Sequence, residues 1–407
     1  MSMTYDAIVV GARCAGAPTA ILLARQGRHV LLVDRATFPS DTLSTHVIHA
    51  PGVAALSRWG LLDQVVATGC PPIGTYSYDF GPFTIHGAAR PVEGHSAGYA
   101  PRRTVLDTIL VDEARASGVE VWEGFNVDSL VTEDRAVLGI SGHTKDGERV
   151  DARASIVIGA DGKNSHVAKT VRAGEYETRP RLQYAYYTYF RDLLTEGMEV
   201  FIRPDRGFGA APTNDGLTMV VVGWPYAEAA AYKADVEANF LSTLDLAPGF
   251  AERARTATRV GPFLGGAVPG FFRVPFGPGW ALVGDAGYNK DPITAQGISD
   301  AFLDAERCST AIGSWLDGDS TYDAAMTSWQ QARDAKAMPL YEFTSQLATL
   351  EPPPPETQQL LGAVYGNSDA MDGFVSVVAG TVSPAEYFSP DNIAHILRAA
   401  EQPAVVT

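Results

Sequence analysis

The 407-residue chain has little cysteine, a deficit of positive charge and no long apolar run. Its three cysteines, Cys14, Cys70 and Cys308, form no CxxC pair, which argues against a disulfide framework or a metal site and favours a reducing cytoplasm. With 31 Lys and Arg against 47 Asp and Glu, it lacks the clustered positive charge that nucleic-acid binding needs. No segment reaches the roughly 20 apolar residues of a membrane span, and the N-terminus lacks the basic segment of a signal peptide. The sequence predicts a soluble cytoplasmic protein.

A strand–turn–helix–strand pattern stands at the start of the chain. The segment AIVVGARCAGAPTAILLARQG has Gly11 and Gly16, but Arg13 occupies the place of the middle glycine of a dinucleotide-binding turn. Asp34 ends the second strand, at the interval where a carboxylate accepts from ribose hydroxyls. Free N–H groups at the start of the helix would face a diphosphate. The predicted contact residues of this βαβ unit are Gly11, Arg13, Cys14, Ala15, Gly16, Asp34 and Arg35.

A second pattern lies late in the chain, in GWALVGDAGYNKDPITAQGISDAFLDAE. A strand ends at Gly284 and Asp285, Pro292 follows, and Gly297 opens a helix. Together with RRTVLD at Arg103 and IVIGADGKNSHVAK at Asp161, this order resembles the flavoprotein monooxygenases of the p-hydroxybenzoate hydroxylase type. That superfamily includes geranylgeranyl reductases and flavin halogenases.

The resemblance implies a non-covalently bound FAD. In that superfamily Asp285 would hold the ribityl chain, and the loop from Pro292 to Gly297 would lie along the flavin ring. Amides at a helix start stabilise the negative charge of a reduced flavin, which assigns Gly297 and Ile298 to the ring. The FAD contacts implied by the resemblance are Arg103, Val127, Asp161, Gly284, Asp285, Pro292, Gly297 and Ile298. Electrons would come from NAD(P)H or from reduced flavin supplied by a partner reductase.

The fold predicted from these patterns is α/β, with a discontinuous Rossmann-like FAD-binding domain, an inserted antiparallel β-sheet substrate domain and a helical C-terminus. The predicted boundaries are 1–74, 98–181 and 268–330 for the FAD-binding domain, 75–97 and 182–267 for the substrate domain, and 331–407 for the helical region.

Candidate substrate-site residues are fewer. The segment DTLSTHVIH follows the second strand, so His46 and His49 are candidate acid–base groups, with a structural role as the alternative. In YAYYTYF, strand alternation puts Tyr184 and Tyr186 on one face and Tyr187 and Tyr189 on the other. The predicted pocket residues are Tyr184, Tyr186, Tyr189, Phe208 and Pro212, and aromatic packing within the sheet explains the tyrosines equally well.

The resemblance implies an FAD-dependent monooxygenase of secondary metabolism, a monomer or homodimer. It would hydroxylate or epoxidise an aromatic or polyketide-like small molecule through a flavin C4a-hydroperoxide. A reductase of the geranylgeranyl reductase kind is the first alternative, supported by the two prolines of PDRGFGAAP, and a non-catalytic FAD-binding protein is the second. Halogenation is disfavoured because the first lysine is Lys145 and no W-x-W-x-I-P segment occurs. Lys290 and Asp291 depart from the G-D-A-A-H flavin loop that is common in hydroxylases.

Overall fold

The computed structural model describes residues 3–401, which form three larger sheets surrounded by helices. The strands are β1 (Met3–Val10), β2 (Val30–Asp34), β3 (Pro72–Ile73), β4 (Tyr76–Asp79), β5 (Thr84–Gly87), β6 (Gly98–Tyr99), β7 (Glu120–Glu123), β8 (Asn126–Glu133), β9 (Ala136–His143), β10 (Arg149–Gly159), β11 (Glu175–Arg179), β12 (Gln183–Arg191), β13 (Met198–Arg203), β14 (Arg206–Pro212), β15 (Leu217–Pro225), β16 (Thr258–Gly266), β17 (Gly270–Arg273), β18 (Phe276–Gly277), β19 (Trp280–Leu282) and β20 (Tyr288–Asn289). The helices are α1 (Gly16–Arg25), α2 (Ala50–Arg58), α3 (Leu62–Ala67), α4 (Arg103–Ala116), α5 (His166–Val171), α6 (Ala229–Ala234), α7 (Val236–Leu244), α8 (Pro248–Thr256), α9 (Gly297–Leu316), α10 (Tyr322–Leu347), α11 (Pro355–Val364), α12 (Ser368–Val378), α13 (Pro384–Tyr387) and α14 (Pro390–Glu401).

The first sheet has a parallel centre built on β1. Its neighbours are β2 and β10, and β7 and β19 extend the parallel order outward. Along β1, Ala7 and Val9 belong to the apolar cluster that α1, α4 and α9 share, whereas Ile8 and Val10 pack on the opposite face with residues of the β8–β9 hairpin. A parallel sheet covered on both faces needs apolar residues at consecutive positions, which explains the AIVV run.

A seven-stranded sheet lies beside the first, in the order β16-β12-β15-β14-β13-β4-β5. All its neighbours are antiparallel except β13 and β4. Helices α6 to α8 cover one face, where Phe240 and Phe250 pack against Val220, Val222 and other strand residues. The other face is turned toward the first sheet and carries much of the cavity described below.

The C-terminal helices close one side of the molecule. Helix α10 packs on α9 and spans residue 331, the predicted start of the helical region. Helices α11 to α14 share an apolar cluster with β4 and β5, in which Tyr78 meets Phe374 edge to face. The predicted α/β class, with an inserted antiparallel sheet and a helical C-terminus, is confirmed. The prediction for residues 402–407 lies outside the described residues.

No helix within residues 3–401 combines the length and the apolar character that crossing a membrane requires. The three cysteines are free and buried.

Candidate functional site

A cavity of about 2010 Å³ lies between the first sheet, the seven-stranded sheet and the C-terminal helices. Ligand pockets usually hold about 300–1,000 Å³, so this volume accommodates a cofactor and a second ligand together. Its wall includes most of the predicted FAD contacts: Gly11, Arg13, Cys14, Ala15, Asp34, Arg35, Arg103, Val127, Asp161, Gly284, Asp285, Pro292, Gly297 and Ile298. Gly16 is absent from the described wall and instead lies behind it, against the sheet.

The first glycine turn owes its shape to two close contacts. Gly11 has φ +104°, and a Cβ there would approach the Ala160 carbonyl oxygen to 2.5 Å. A Cβ on Gly16 would approach the Gly11 carbonyl oxygen to 1.7 Å, so only glycine lets α1 begin so close to the turn. The Asp34 carboxylate accepts from the backbone N–H of Ala12 at 2.7 Å and of Ala36 at 2.8 Å, and thereby holds both turns at the strand ends.

Arg13 ties this turn to two other segments. Its guanidinium forms an ion pair with the buried Asp107 of α4, and it donates to the Ser40 hydroxyl at 2.6 Å and lies 5.2 Å from the Phe38 ring centroid. Asp107 also pairs with Arg103 at 2.9 Å. Two arginines of the cavity wall therefore share one buried carboxylate, which fixes where their charges lie.

Cys14 lies beside the same carboxylate, with its Sγ 3.5 Å from Asp107 Oδ1. Burial raises the pKa of the Cys14 thiol to about 12. The side chain is therefore a protonated, buried thiol, which agrees with a packing role rather than a redox role.

The turn at Gly284 and Asp285, which follows β19, is held by a hydrogen bond to a residue of α9. Gly284 has φ +60°, and its N–H donates to Asp304 Oδ2 at 2.9 Å, while Trp329 Nε1 donates to Asp304 Oδ1 at 3.0 Å. Asp285 is exposed toward the cavity space, with protein surrounding it on its other sides. Burial raises the pKa of Asp285 to about 6, although the positive charges of Lys163 and Arg103 act in the opposite direction.

Two helices begin at the cavity with free N–H groups. Within the described residues, neither Ala15 at the start of α1 nor Gln296 at the start of α9 makes a side-chain capping bond. Gly297 is exposed, and a Cβ added there would meet nothing within 4 Å. Such N-termini attract negative charge. The N-terminus of α1 suits a diphosphate, and the N-terminus of α9 suits an electron-rich ring. The residues present therefore fit FAD.

Comparison with known proteins agrees with this geometry. Residues 4–245 match the family model described as FAD binding domain. The chain belongs to this family. Among curated relatives, it is 28% identical to digeranylgeranylglycerophospholipid reductase of Methanocella arvoryzae over 74% of this chain and 75% of the relative. It is 26% identical to rifampicin monooxygenase of Streptomyces venezuelae over 54% of this chain and 45% of the relative.

Solved structures share the fold. The flavin-dependent brominase Bmp2 superposes with a TM-score of 0.82 at 18% identity and covers 98% of both chains. The protein is an FAD-dependent oxidoreductase. Its relatives include a reductase, a monooxygenase and a brominase, so its own reaction must be argued from the site.

Asp161 and Val127 both line the cavity but have different local surroundings. Asp161 accepts from the Ser165 hydroxyl at 2.5 Å and from the His166 N–H at 2.6 Å, so it caps the start of α5 beside the cavity. Val127 lies on β8 and contributes directly to the wall. Asp161 therefore holds the start of α5, and both residues border the cavity.

The two predicted histidines are fully buried and do not appear in the described cavity wall. His46 Nε2 lies 2.6 Å from the Tyr189 hydroxyl, and burial lowers the pKa of His46 to about 3. The His49 ring donates from Nε2 to the Thr294 carbonyl at 3.1 Å and accepts from the Tyr76 hydroxyl at 3.2 Å, and burial lowers its pKa to about 4. Neutral, hydrogen-bonded rings favour a structural role, and acid–base chemistry at either stays a prediction without support from these contacts.

The tyrosines of β12 divide between two environments. Tyr184 and Tyr186 face α6, where Tyr186 lies 5.3 Å from Tyr232 and the Tyr184 ring lies under Lys233. Tyr189 bonds to His46 behind the wall. Of the predicted pocket residues, only Phe208 lies in the described wall, and Tyr184, Tyr186, Tyr189 and Pro212 do not.

The prediction missed the residues that β12 does present to the cavity, which are Gln183, Ala185 and Tyr187. The alternation derived from the sequence already placed Tyr187 opposite Tyr186, but it could not decide which face was turned inward. Lys290 and Asp291 also line the cavity. The sequence feature that could have identified these two residues was their departure from the G-D-A-A-H pattern of hydroxylases.

Lys290 is buried and fully engaged. Its Nζ donates to the Tyr288 hydroxyl at 2.8 Å and pairs with Asp300 Oδ2 at 2.6 Å. Because Asp300 stands in the first turn of α9, this pair fixes the flavin loop to the helix start. Because the Asp300 carboxylate balances the Lys290 ammonium, the pair adds no net charge at the start of α9 and is a structural link.

Proposed function

We propose that the protein is an FAD-dependent monooxygenase that places one oxygen atom of O₂ on an apolar aromatic or polyketide-like small molecule. One observation carries the proposal: the flavin loop and the inward face of the seven-stranded sheet line the same continuous cavity. FAD, when bound and reduced, supplies the activation of oxygen. The similarity to a rifampicin monooxygenase supports the choice of reaction.

Each part of the wall has a task in this proposal. The N-terminus of α1 and the guanidinium groups around Asp107 would hold the diphosphate, and the N-terminus of α9 would stabilise negative charge on the flavin. Tyr187, Met219 and Val221 provide an apolar surface on the sheet side. An apolar surface excludes water, which oxygen transfer by a reduced flavin requires.

The proposed reaction balances with one two-electron donor. Substrate, O₂, NAD(P)H and a proton give oxygenated substrate, NAD(P)⁺ and water. In a second arrangement a partner reductase delivers reduced flavin in place of NAD(P)H. In either case one oxygen atom enters the product and the other leaves as water.

The experiment is oxygen uptake by purified holoprotein with NADH, NADPH or chemically reduced FAD, across a screen of polycyclic phenols and quinones. Mass spectrometry after reaction under ¹⁸O₂ should show one labelled oxygen atom in the product. A parallel assay with catalase separates true oxygenation from release of hydrogen peroxide. Absence of labelled product with every donor would remove the proposal.

A second candidate is a flavin-dependent reductase of prenyl chains. The cavity continues along apolar residues of the C-terminal helices and their connections, among them Leu350, Leu360, Phe374 and Phe388, which would suit a long hydrocarbon. The similarity to a phospholipid reductase supports this alternative. Anaerobic saturation of a geranylgeranyl substrate by dithionite-reduced holoprotein would favour it over oxygenation. Absence of both activities with flavin bound would support the remaining alternative, a non-catalytic FAD-binding protein.

A further inference from the structure

His49 contacts the segment that joins the flavin loop to α9 at two points. Its ring Nε2 lies 3.1 Å from the Thr294 carbonyl oxygen, and its backbone N–H donates to the Ser299 hydroxyl at 3.0 Å. Thr294 belongs to the cavity wall, whereas His49 is fully buried and is absent from the described wall. His49 therefore holds this segment from behind the wall.

The hydrogen-bond partners fix the tautomer of the His49 ring. A carbonyl oxygen can only accept, so Nε2 carries the hydrogen and donates it to Thr294. Nδ1 of the neutral ring then accepts from the Tyr76 hydroxyl at 3.2 Å. Burial lowers the pKa of His49 to about 4, so the ring is neutral in neutral solution. Tyr76, on β4, thereby directs the donor of His49 toward the flavin loop.

The peptide group between Thr294 and Ala295 is held at both of its polar atoms. Its oxygen accepts from His49, and its N–H donates to the Pro292 carbonyl at 2.8 Å. Ala295 has φ +53°, a left-handed conformation that costs an L-residue about 1–2 kcal/mol. A hydrogen bond contributes about 0.5–1.5 kcal/mol, which is similar to this strain. The left-handed turn therefore depends on both hydrogen bonds.

Free N–H groups follow this turn directly. The backbone N–H groups of Gln296, Gly297 and Ile298 have no acceptor among residues 3–401. Their directions depend on the peptide group that precedes them, because each peptide is planar and rigid. Under the proposed function, a reduced flavin lies against these groups, and aligned N–H dipoles stabilise its negative charge.

We propose that His49 is a positioning residue that raises the reduction potential of the bound FAD, because it holds the Thr294–Ala295 peptide in the orientation that aims the start of α9 at the flavin. This inference rests on the proposed function, which places the flavin ring at α9. In two-electron reduction the flavin takes two electrons from the donor and one proton from solvent, and His49 exchanges neither. A purely structural His49 would stabilise the fold and leave the potential unchanged.

The test measures the two-electron reduction potential of the flavin in purified holoprotein, by anaerobic titration with dithionite against a reference dye. His49→Leu keeps a side chain of similar size but removes the donor to Thr294. We expect an about tenfold smaller equilibrium constant for reduction, equal to a potential about 30 mV more negative. His49→Gln can place an amide donor near the position of Nε2 and should recover most of the difference.

Two further variants separate positioning from stability. Tyr387→Phe is the matched control, since the Tyr387 hydroxyl donates to the Ala370 carbonyl at 2.7 Å and neither residue belongs to the described cavity wall. It should lower the urea midpoint and leave the potential unchanged. Tyr76→Phe keeps the imidazole but removes the donor that fixes its tautomer. The potential of Tyr76→Phe should fall by less than that of His49→Leu.

Equal potentials in the wild type and His49→Leu, or the same decrease in His49→Leu and His49→Gln, would overturn the inference. If His49→Leu does not retain flavin, Tyr76→Phe and Tyr387→Phe are compared: a decrease in Tyr76→Phe alone supports the inference, and equal potentials remove it.

The measurement uses neither substrate nor oxygen, so the two proposals fail separately. A potential that depends on His49, without oxygen transfer in the separate assay, would remove the proposed function and keep the role of His49. Oxygen transfer by a protein whose potential does not depend on His49 would do the reverse.

Discussion

The Arg13 guanidinium and the Asp107 carboxylate form an ion pair that joins the glycine turn of α1 to helix α4. Asp107 is completely buried, while the Arg13 side chain retains 24% of its exposure toward the cavity. Because Arg103 pairs with the same carboxylate, the cluster carries one net positive charge at the cavity wall. An arginine in place of the middle glycine is therefore a fixed structural part of this turn.

Arg13→Ala should weaken FAD retention. Asp107 keeps Arg103 as a partner, so we expect the protein to fold with a loss of about 1–3 kcal/mol from the missing charged hydrogen bonds. Loss of one positive charge and a looser 38–41 loop should raise the FAD dissociation constant about tenfold, as measured by flavin fluorescence during dilution. Arg28→Ala, which removes an arginine paired with Asp317 away from the cavity wall, is the matched control. An unchanged FAD affinity in Arg13→Ala would show that the guanidinium is passive.

Alanine substitution should have different effects on the stability of the protein at Gly16 and at Gly297. Gly16→Ala places a Cβ 1.7 Å from a backbone oxygen, so we expect a loss of more than about 4 kcal/mol in unfolding free energy or no soluble protein. Gly297→Ala meets no atom within 4 Å and should keep the fold, as shown by urea denaturation of the apoprotein. It should nevertheless lower FAD affinity, because the methyl group would project into the space at the start of α9. Full FAD affinity in Gly297→Ala would contradict the assignment of this helix start to the flavin.

The buried histidines should make stability dependent on pH in a defined window. Their folded-state pKa values, about 3 for His46 and about 4 for His49, lie below the unfolded value, so the unfolded chain binds more protons at mildly acidic pH. Stability should therefore fall as the pH decreases from about 6.5, by about 2 kcal/mol per histidine between pH 7 and pH 5. Urea midpoints at the two pH values measure the effect. His49→Gln should make the dependence smaller, and an equally steep dependence in that variant would assign it to other groups.

Neighbouring tyrosines of β12 provide a matched pair for the substrate side. Tyr187 belongs to the cavity wall, and Tyr186 packs on the opposite face against Tyr232. Tyr187→Ala should raise the KM of the substrate found by oxygen uptake about tenfold, since it removes an aromatic wall. Tyr186→Ala should lower the thermal midpoint with little change in KM. The reverse result would place the substrate on the other side of the sheet.

The sequence predicted those features that depend on local order along the chain. Gly11, Gly16, Asp34 and Gly297 stand at strand or helix ends, and the structure keeps them there because tight turns and helix starts have strong local requirements. The predicted fold class followed from the same patterns. The FAD contacts themselves stay predictions, although the cavity wall brings nearly all of them together.

The substrate side could not be predicted in the same way. Whether Tyr186 or Tyr187 faces inward depends on which face of β12 helix α6 covers, and alternation is identical for both. Gln183 and Asp291 are 108 residues apart, and only the tertiary fold makes them neighbours. The ion pair between Arg13 and Asp107 likewise spans 94 residues, so no local pattern could reveal it.

The Gly284–Asp304 hydrogen bond has a consequence for biosynthesis. It joins the end of β19 to the middle of α9, and β19 in turn pairs with β10. On the ribosome, the first glycine turn can be completed only after Ala160 has emerged, and the opposite wall of the cavity forms later still, after α9 has left the exit tunnel. With α9 at the flavin as proposed, we expect cofactor loading to be a late step of synthesis, and truncated chains that end before α9 should be unable to retain flavin.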